Sequence, residues 1–133
     1  MAESTFEKGL KLFAEIYGEE IAGSARAQVE AGTDFGSEQI RWTMEFTFGS
    51  VWGRPGLERK LRSCVVLGML IALRQQDEIK YHTMMGMKNG LSRAELEEVL
   101  YTAFPYAGFP AAQVAKKAML EAFAGMQPGA DRA

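Results

Sequence analysis

The sequence is poor in the two side chains that most often carry metal and redox chemistry. Its 133 residues include one cysteine, Cys64, and one histidine, His82. A lone cysteine cannot form an intramolecular disulfide, and a conventional zinc site needs several cysteine or histidine ligands. No spacing of carboxylates indicates a magnesium site. We therefore expect no metal, and we interpret Cys64 as a small core residue on a buried helix.

Long apolar runs and a marked excess of one charge are also missing. The longest apolar run, residues 64–73, is far shorter than the ~18 residues of a membrane-spanning helix. The net charge is -2, and basic and acidic residues are interleaved, unlike the basic patch of a nucleic-acid-binding protein. Residues 1–7 are acidic, unlike a signal peptide. We expect no membrane partner, no nucleic-acid partner and a cytoplasmic location.

Apolar residues recur at helical spacing, and no alternating segment bounded by turns is evident. Hydrophobic residues make up 47% of the chain and charged residues 24%, which is typical of a globular protein that buries a core. We predict an all-α fold, a compact bundle of about six or seven helices. We also predict a single domain over residues 1–133, in which residues 127–133 form a frayed tail.

Glycine, proline and capping residues set the expected helix boundaries. Ser92 and Glu95 form a capping box, and Gly90 suits the left-handed position after a helix. Pro105 and the corner at residues 108–110 are expected to interrupt the helix that starts at Ser92, and residues 49–56 are expected to form a loop or a sharply bent connection because they are rich in helix breakers. The other helices are predicted at about 6–17, 19–30, 36–48, 57–74, 76–89 and 110–126.

The most informative pair of residues is Glu78 and His82, which are four positions apart on a predicted helix and so share one face. An ionised carboxylate beside an imidazole favours the protonated ring, so the pair can supply an acid near neutral pH. An exposed Glu–His pair without function is the alternative interpretation.

Three separated segments carry a resemblance to a known family. Residues 48–63 contain a tryptophan, an arginine-proline-glycine-leucine run and an arginine-serine pair; residues 77–96 contain the Glu78–His82 segment; residues 106–112 form the third. In this order and spacing the chain resembles the carboxymuconolactone decarboxylase family from about Phe6 to the final helix. The resemblance implies an all-α fold that assembles as trimers or hexamers.

The family has two chemical branches, and the resemblance separates them. The peroxidase branch carries a Cys-x-x-Cys pair before the histidine, where this chain has Gln75 and Glu78. Cys64 cannot replace the pair, because thiol–disulfide exchange needs a second thiol. The chain is therefore not expected to be a thiol peroxidase.

The other branch removes carbon dioxide from a carboxylated lactone in aromatic-acid degradation without a cofactor. By resemblance, Glu78 and His82 fall on its acid–base positions, and Arg54 and Arg62 fall on its signature. Arginine binds both oxygens of a carboxylate at once. The resemblance thus implies a carboxy-lyase that acts on a small anionic lactone or cyclic acid. A plain ion pair of Arg62 with Glu58 is the alternative for that residue.

Trp52 and Tyr106 are candidate walls of the substrate pocket, with core or subunit packing as the alternative. The chain departs from the family pattern at Ala107, where decarboxylases tend to have cysteine, and around Pro105. These departures leave the substrate open. Two other functions are kept: a related tailoring or isomerase activity on another cyclic substrate, and a non-catalytic oligomeric ligand-binding protein. The apolar run 64–73 also suggests burial between subunits of a homo-oligomer.

Overall fold

The computed structural model describes residues 2–126, and this part of the chain is helical, with no strand. The prediction of an all-α bundle is confirmed. The helices form two compact units that divide between Leu57 and Glu58, and each is described by itself. The predicted frayed tail, 127–133, lies outside the described residues.

The first unit contains three α-helices and one π-helix. Ser4 caps the first helix, because its Oγ accepts a hydrogen bond of 3.1 Å from the backbone N–H of Glu7. Glu7 and Arg26 form a bidentate ion pair of 2.7 and 2.8 Å that joins the first two helices. The elements are α1 (Thr5–Tyr17), α2 (Glu19–Ala31), α3 (Ser37–Trp42) and the π-helix (Thr43–Trp52).

The π-helix corrects the predicted loop over residues 49–56. Helical structure continues to Trp52, with bonds of the i→i+5 type: the N–H of Gly53 donates to the carbonyl of Phe48 at 3.1 Å. Gly49 does not break the helix, because its missing side chain lets the π-helix pack against α1. A Cβ atom there would collide with the carbonyl oxygen of Thr5. Residues 49–52 are thus helical although their propensity predicts a break, because packing against α1 favours the π-helix.

The second unit contains α4 (Arg59–Ala72), α5 (Gln76–Lys88), α6 (Arg93–Ala107) and α7 (Phe109–Ala124). Its core includes Leu67, Ile71, Ile79 and Leu96, which are fully buried. Helix α7 presents buried alanines to this core, so α5 and α6 pack closely against it. The buried alanines of α7 are Ala111, Ala112, Ala115, Ala118 and Ala122.

Helix α6 begins as predicted but runs further than expected. Ser92 and Glu95 form the predicted capping box, and Glu95 also pairs with Lys60 at 2.8 Å. Pro105 does not interrupt the helix, which continues to Ala107. Pro105 lies in the last turn of the helix. Its missing N–H therefore leaves only one carbonyl group, four residues earlier, without its helical hydrogen bond. The helix ends instead at Gly108, which has a φ of 95°.

Within the single chain, helix α4 is buried on one side only, and the predicted burial of its apolar run between subunits stays a prediction. Its core face carries Ser63, Leu67 and Ile71. Four large apolar side chains at intervals of four residues are exposed in the chain: Leu61, Val65, Met69 and Leu73. We call these four residues the α4 stripe.

We predict that Gly9→Ala and Gly49→Ala each destabilise the protein. A Cβ at Gly9 would collide with the carbonyl of Met44, as one at Gly49 would with that of Thr5. Overpacking of this kind costs about 1–3 kcal/mol of the free energy of unfolding, measurable by urea denaturation. Gly23→Ala is the matched control, because no atom lies within 4 Å of its Cβ position on α2. Unchanged stability in Gly49→Ala would contradict the packing role.

Candidate functional site

The structure brings Glu78 and His82 together on α5. Oε2 of Glu78 lies 3.8 Å from Nε2 of His82, one helical turn away. The Glu78 side chain is 56% exposed, whereas the His82 side chain is only 19% exposed. The carboxylate therefore meets solvent while the imidazole lies mostly within the protein, so the two groups experience different dielectric surroundings.

Burial lowers the pKa of His82 below its ordinary value of 6.5, and the nearby Glu78 carboxylate opposes this by raising it. The larger effect is burial, because moving a charged ring out of water outweighs attraction to an exposed carboxylate that water screens. This corrects the expectation that Glu78 keeps the ring protonated near neutral pH. In the free protein this lowering of the pKa favours the neutral imidazole at pH 7.

The inner nitrogen of the ring has a distinct environment. Within residues 2–126, Nδ1 of His82 is buried and has no hydrogen-bond partner. A buried polar atom without a partner costs about 1–3 kcal/mol, and such atoms concentrate at functional sites. A neutral ring with one nitrogen toward Glu78 can accept a proton and later return it.

The other four candidates occupy different places. Trp52 is buried in the first unit, where its ring stacks on Phe48 at a centroid distance of 6.4 Å. Arg54 is exposed in the turn that follows the π-helix. Arg62 is half-buried on α4, and Tyr106 is 90% exposed in the last turn of α6. Trp52 thus matches the alternative of core packing.

A groove of about 560 Å³ lies between α4 and α6 in the second unit. Its walls are mainly apolar, and the Lys60–Glu95 ion pair lies among its polar groups. Tyr106 and Ala107 line it, whereas Glu78 and His82 are not among the described residues that do. This groove is therefore a recess distinct from the Glu78–His82 pair.

Cys64 also lines the groove, where it is half-buried rather than part of the closed core. Helix α4 turns Ser63 and Leu67 to the core, so the next position, residue 64, points to the groove side. Burial raises the pKa of the Cys64 thiol above its ordinary value of 9.0. The group is consequently a thiol at neutral pH and a poor nucleophile.

A polar link between α4 and the end of α5, made by the buried Ser63 and the half-buried Asn89, was not predicted from the sequence. Ser63 is fully buried on α4, and its Oγ accepts a hydrogen bond of 3.0 Å from Nδ2 of Asn89 at the end of α5. The signal was available: Ser63, Leu67 and Ile71 follow one helical face at intervals of four, and a serine in such a row needs a polar partner.

The described residues contain neither a cluster suited to a metal ion nor a helix suited to cross a membrane. Within residues 2–126, no three His, Cys, Asp or Glu side chains come together as a set that could hold a metal ion. Over the same residues, no helix has the length and apolar character needed to cross a membrane.

Comparisons with known proteins agree with the helical architecture. Residues 38–121 match the model of the carboxymuconolactone decarboxylase family. The chain is 33% identical over 121 residues to the 4-carboxymuconolactone decarboxylase of Acinetobacter baylyi, covering 91% of this chain and 88% of that protein. It is 34% identical over 105 residues to the nitrosuccinic acid decarboxylase of Metarhizium robertsii, covering 79% and 71% respectively.

We predict that His82 titrates with a midpoint below 6.5, because burial outweighs the attraction of Glu78. His82 is the only histidine in the chain, so its imidazole signals in an NMR pH titration report this residue alone. Glu78→Gln should lower the midpoint further, since the neutral amide no longer favours the charged ring. Asp77→Asn, on the adjacent exposed position, is the control and should change it less. A wild-type midpoint above 6.5 would show that the carboxylate dominates.

Proposed function

The chain belongs to the carboxymuconolactone decarboxylase family, and from this premise we propose that it is a cofactor-free carboxy-lyase acting on a small carboxylated lactone such as 4-carboxymuconolactone. The observation that supports this most is the Glu78–His82 pair, in which the carboxylate is exposed and the imidazole is mostly buried. The pair lies in a chain that is similar to a decarboxylase over nearly its whole length. The proposed role in aromatic-acid degradation and the expected cytoplasmic location follow from the same resemblance and stay predictions.

The chemistry sets three tasks for the protein. When the carbon–carbon bond to the carboxylate breaks, carbon dioxide leaves and the bonding electrons spread to the ring carbonyl as an enolate. The protein must hold the anionic substrate, stabilise the enolate oxygen and deliver a proton to carbon. A positioned acid contributes about 10²–10⁴-fold to such a rate, and oriented donors lower the energy of the developing oxyanion.

We assign proton delivery to His82. The free ring is neutral, because burial lowers its pKa. A bound substrate anion adds a second negative charge to that of Glu78, and both favour the imidazolium. The ring therefore takes up a proton from solvent when substrate binds, and donates it to the enolate carbon after carbon dioxide has left. One proton is consumed per turnover, as replacement of a carboxylate by hydrogen requires.

We assign carboxylate binding to Arg54 and Arg62, because the planar guanidinium forms paired hydrogen bonds with both oxygens of a carboxylate. Trp52 and Tyr106 are weaker proposals for substrate contact: Trp52 is packed within the first unit, and Tyr106 lies on the rim of a groove that does not include His82.

The substrate class can be stated more broadly than one lactone. By its name, the second relative decarboxylates nitrosuccinic acid, in which a nitro group can accept the electrons that a lactone carbonyl accepts in carboxymuconolactone. Both compounds place an electron sink within reach of the departing carboxylate. The departure at Ala107 is compatible with either, so nitrosuccinate is the second substrate to test.

We further propose that the chain forms a homo-oligomer, a trimer or hexamer, through the α4 stripe. Four exposed large apolar side chains in one row form the kind of patch that marks protein interfaces. Their spacing of four residues is that of the ridges by which helices interdigitate.

Decarboxylation is predicted to depend on both members of the pair. His82→Ala and Glu78→Gln should each lower kcat/KM for 4-carboxymuconolactone by at least about 100-fold, measured as carbon dioxide release. Asp77→Asn removes a neighbouring exposed carboxylate from the same helix and should retain activity. Circular dichroism checks that the variants fold.

Full activity in either pair variant would remove that residue from the mechanism. No release from folded wild-type protein with either carboxymuconolactone or nitrosuccinate would contradict the decarboxylase proposal. It would leave the isomerase and ligand-binding functions, which turnover of another cyclic compound would separate.

Self-association is predicted to require the α4 stripe. Val65→Glu should lower the sedimentation coefficient to that of a single chain, because a buried charge at an interface costs several kcal/mol. Lys117→Glu places a new acidic side chain at an exposed position of α7 and should leave the assembly intact. A monomeric wild-type protein at micromolar concentration would overturn the proposal.

A further inference from the structure

A part-buried hydrogen bond between Ser63 and Asn89 joins α4 to the end of α5. Ser63 has no solvent exposure, and its Oγ lies 3.0 Å from Nδ2 of Asn89. Within residues 2–126, Oδ1 of Asn89 is buried and has no hydrogen-bond partner. Such a pair in an apolar core contributes modestly to stability but strongly disfavours other packings, since slippage would leave both groups unpaired.

This bond acts on the face of α5 that carries His82. Residues His82, Gly86 and Asn89 lie four and three positions apart and so share one face of the helix. At Gly86 this face lies against α4: a Cβ there would be in ordinary van der Waals contact with it, 3.7 Å from Cβ of Ser63 and 3.8 Å from Cδ1 of Leu67. The Ser63–Asn89 bond therefore lies on the face of α5 that packs against α4, and Gly86 and Asn89 are one and two turns from His82.

We infer that Ser63 and Asn89 are positioning residues for His82: their hydrogen bond fixes the rotation and register of α5 against α4, and thereby holds the imidazole in its mostly buried position. The inference rests on the proposed catalytic role of His82, and its physical claim concerns the placement of the ring. A rotation of α5 about its axis would carry His82 toward solvent, because the neighbouring positions Glu78 and Tyr81 are exposed.

The charged side chains around His82 are taken from α5 and from the two helices that pack against it, α4 and α7. On α5 itself, Glu78 is the group whose charge raises the pKa of His82. The other charged side chains on α5 and on the two helices packed against it are Asp77, Lys80 and Lys88 on α5, Arg59, Lys60 and Arg62 on α4, and Lys116, Lys117 and Glu121 on α7. The substitutions Ser63→Ala and Thr83→Val change none of these charges.

The test compares Ser63→Ala with Thr83→Val in the substrate-free protein. Thr83 is a fully buried residue next to His82, and its hydroxyl donates to the carbonyl of Ile79 at 2.7 Å within α5. Both variants delete one buried hydroxyl, but only Ser63→Ala cuts the link between the helices. An NMR pH titration of the single histidine and thermal unfolding are measured for each.

We expect Ser63→Ala to raise the measured pKa of His82 toward 6.5, because the ring becomes more hydrated, whereas Thr83→Val leaves it unchanged. The two variants should lose similar thermal stability. An unchanged pKa in a folded Ser63→Ala protein would show that the bond is merely structural. Should that variant fail to fold, Asn89→Ser, which shortens the side chain beyond reach of Ser63, is titrated with the same two outcomes.

Activity gives an independent second readout. If the protein decarboxylates 4-carboxymuconolactone, Ser63→Ala should lower kcat by about tenfold while Thr83→Val does not, because misplacement of a catalytic group costs rate even when the fold survives. If no decarboxylation is found, the proposed function fails while the titration still decides whether Ser63 positions the ring.

Discussion

Close approach of helix backbones is the constraint on which both units depend. In the first unit, α1 and the π-helix meet where Gly9 and Gly49 leave no room for a side chain. In the second, the buried alanines of α7 serve the same purpose, and Gly86 leaves room for Leu91, whose Cδ1 would lie 3.0 Å from a Cβ at that position. Packing at this distance allows little slack, because interiors are as dense as organic crystals. Small residues rather than large ones thus determine how the helices are placed, and the positions of the functional side chains follow from that placement.

The balance of two electrostatic effects at His82 follows from that packing. Dense surroundings withdraw the ring from water and penalise its charged form, while Glu78 remains in water, where its attraction is screened. An anion placed beside the buried ring would raise its pKa more than Glu78 does, because a charge in a low-dielectric region interacts more strongly than one at the surface. The protonation of the ring is therefore more sensitive to a charge placed beside it than to the exposed Glu78 carboxylate.

Helix type and most boundaries could be predicted from periodicity and caps, since α1, α2, α5 and α7 are amphipathic segments ended by glycine or proline. The π-helix and the passage of α6 through Pro105 could not, because propensity rules treat Gly49 and Pro105 as breakers without knowledge of what packs against them. For the candidate site, spacing was sufficient to predict that Glu78 and His82 lie side by side. It gave the wrong sign for the shift in pKa, because burial depends on neighbours distant in the sequence. The position of Ser63 on an apolar helical face indicates that it needs a polar partner, but the partner Asn89 is 26 positions away and local spacing does not identify it.

The carboxylate of Glu95 makes two contacts, one at the start of α6 and one to the start of α4. It accepts a hydrogen bond from the backbone of Ser92 and pairs with Lys60, and both contacts lower its pKa, the pairing with Lys60 most. A carboxyl whose pKa is lower when folded than when unfolded stabilises the protein above its unfolded pKa, and that contribution is lost as pH falls through the folded value. Protonation of this one carboxylate therefore weakens both the capping of α6 and its tie to the start of α4, so these two helix ends should loosen together rather than in sequence.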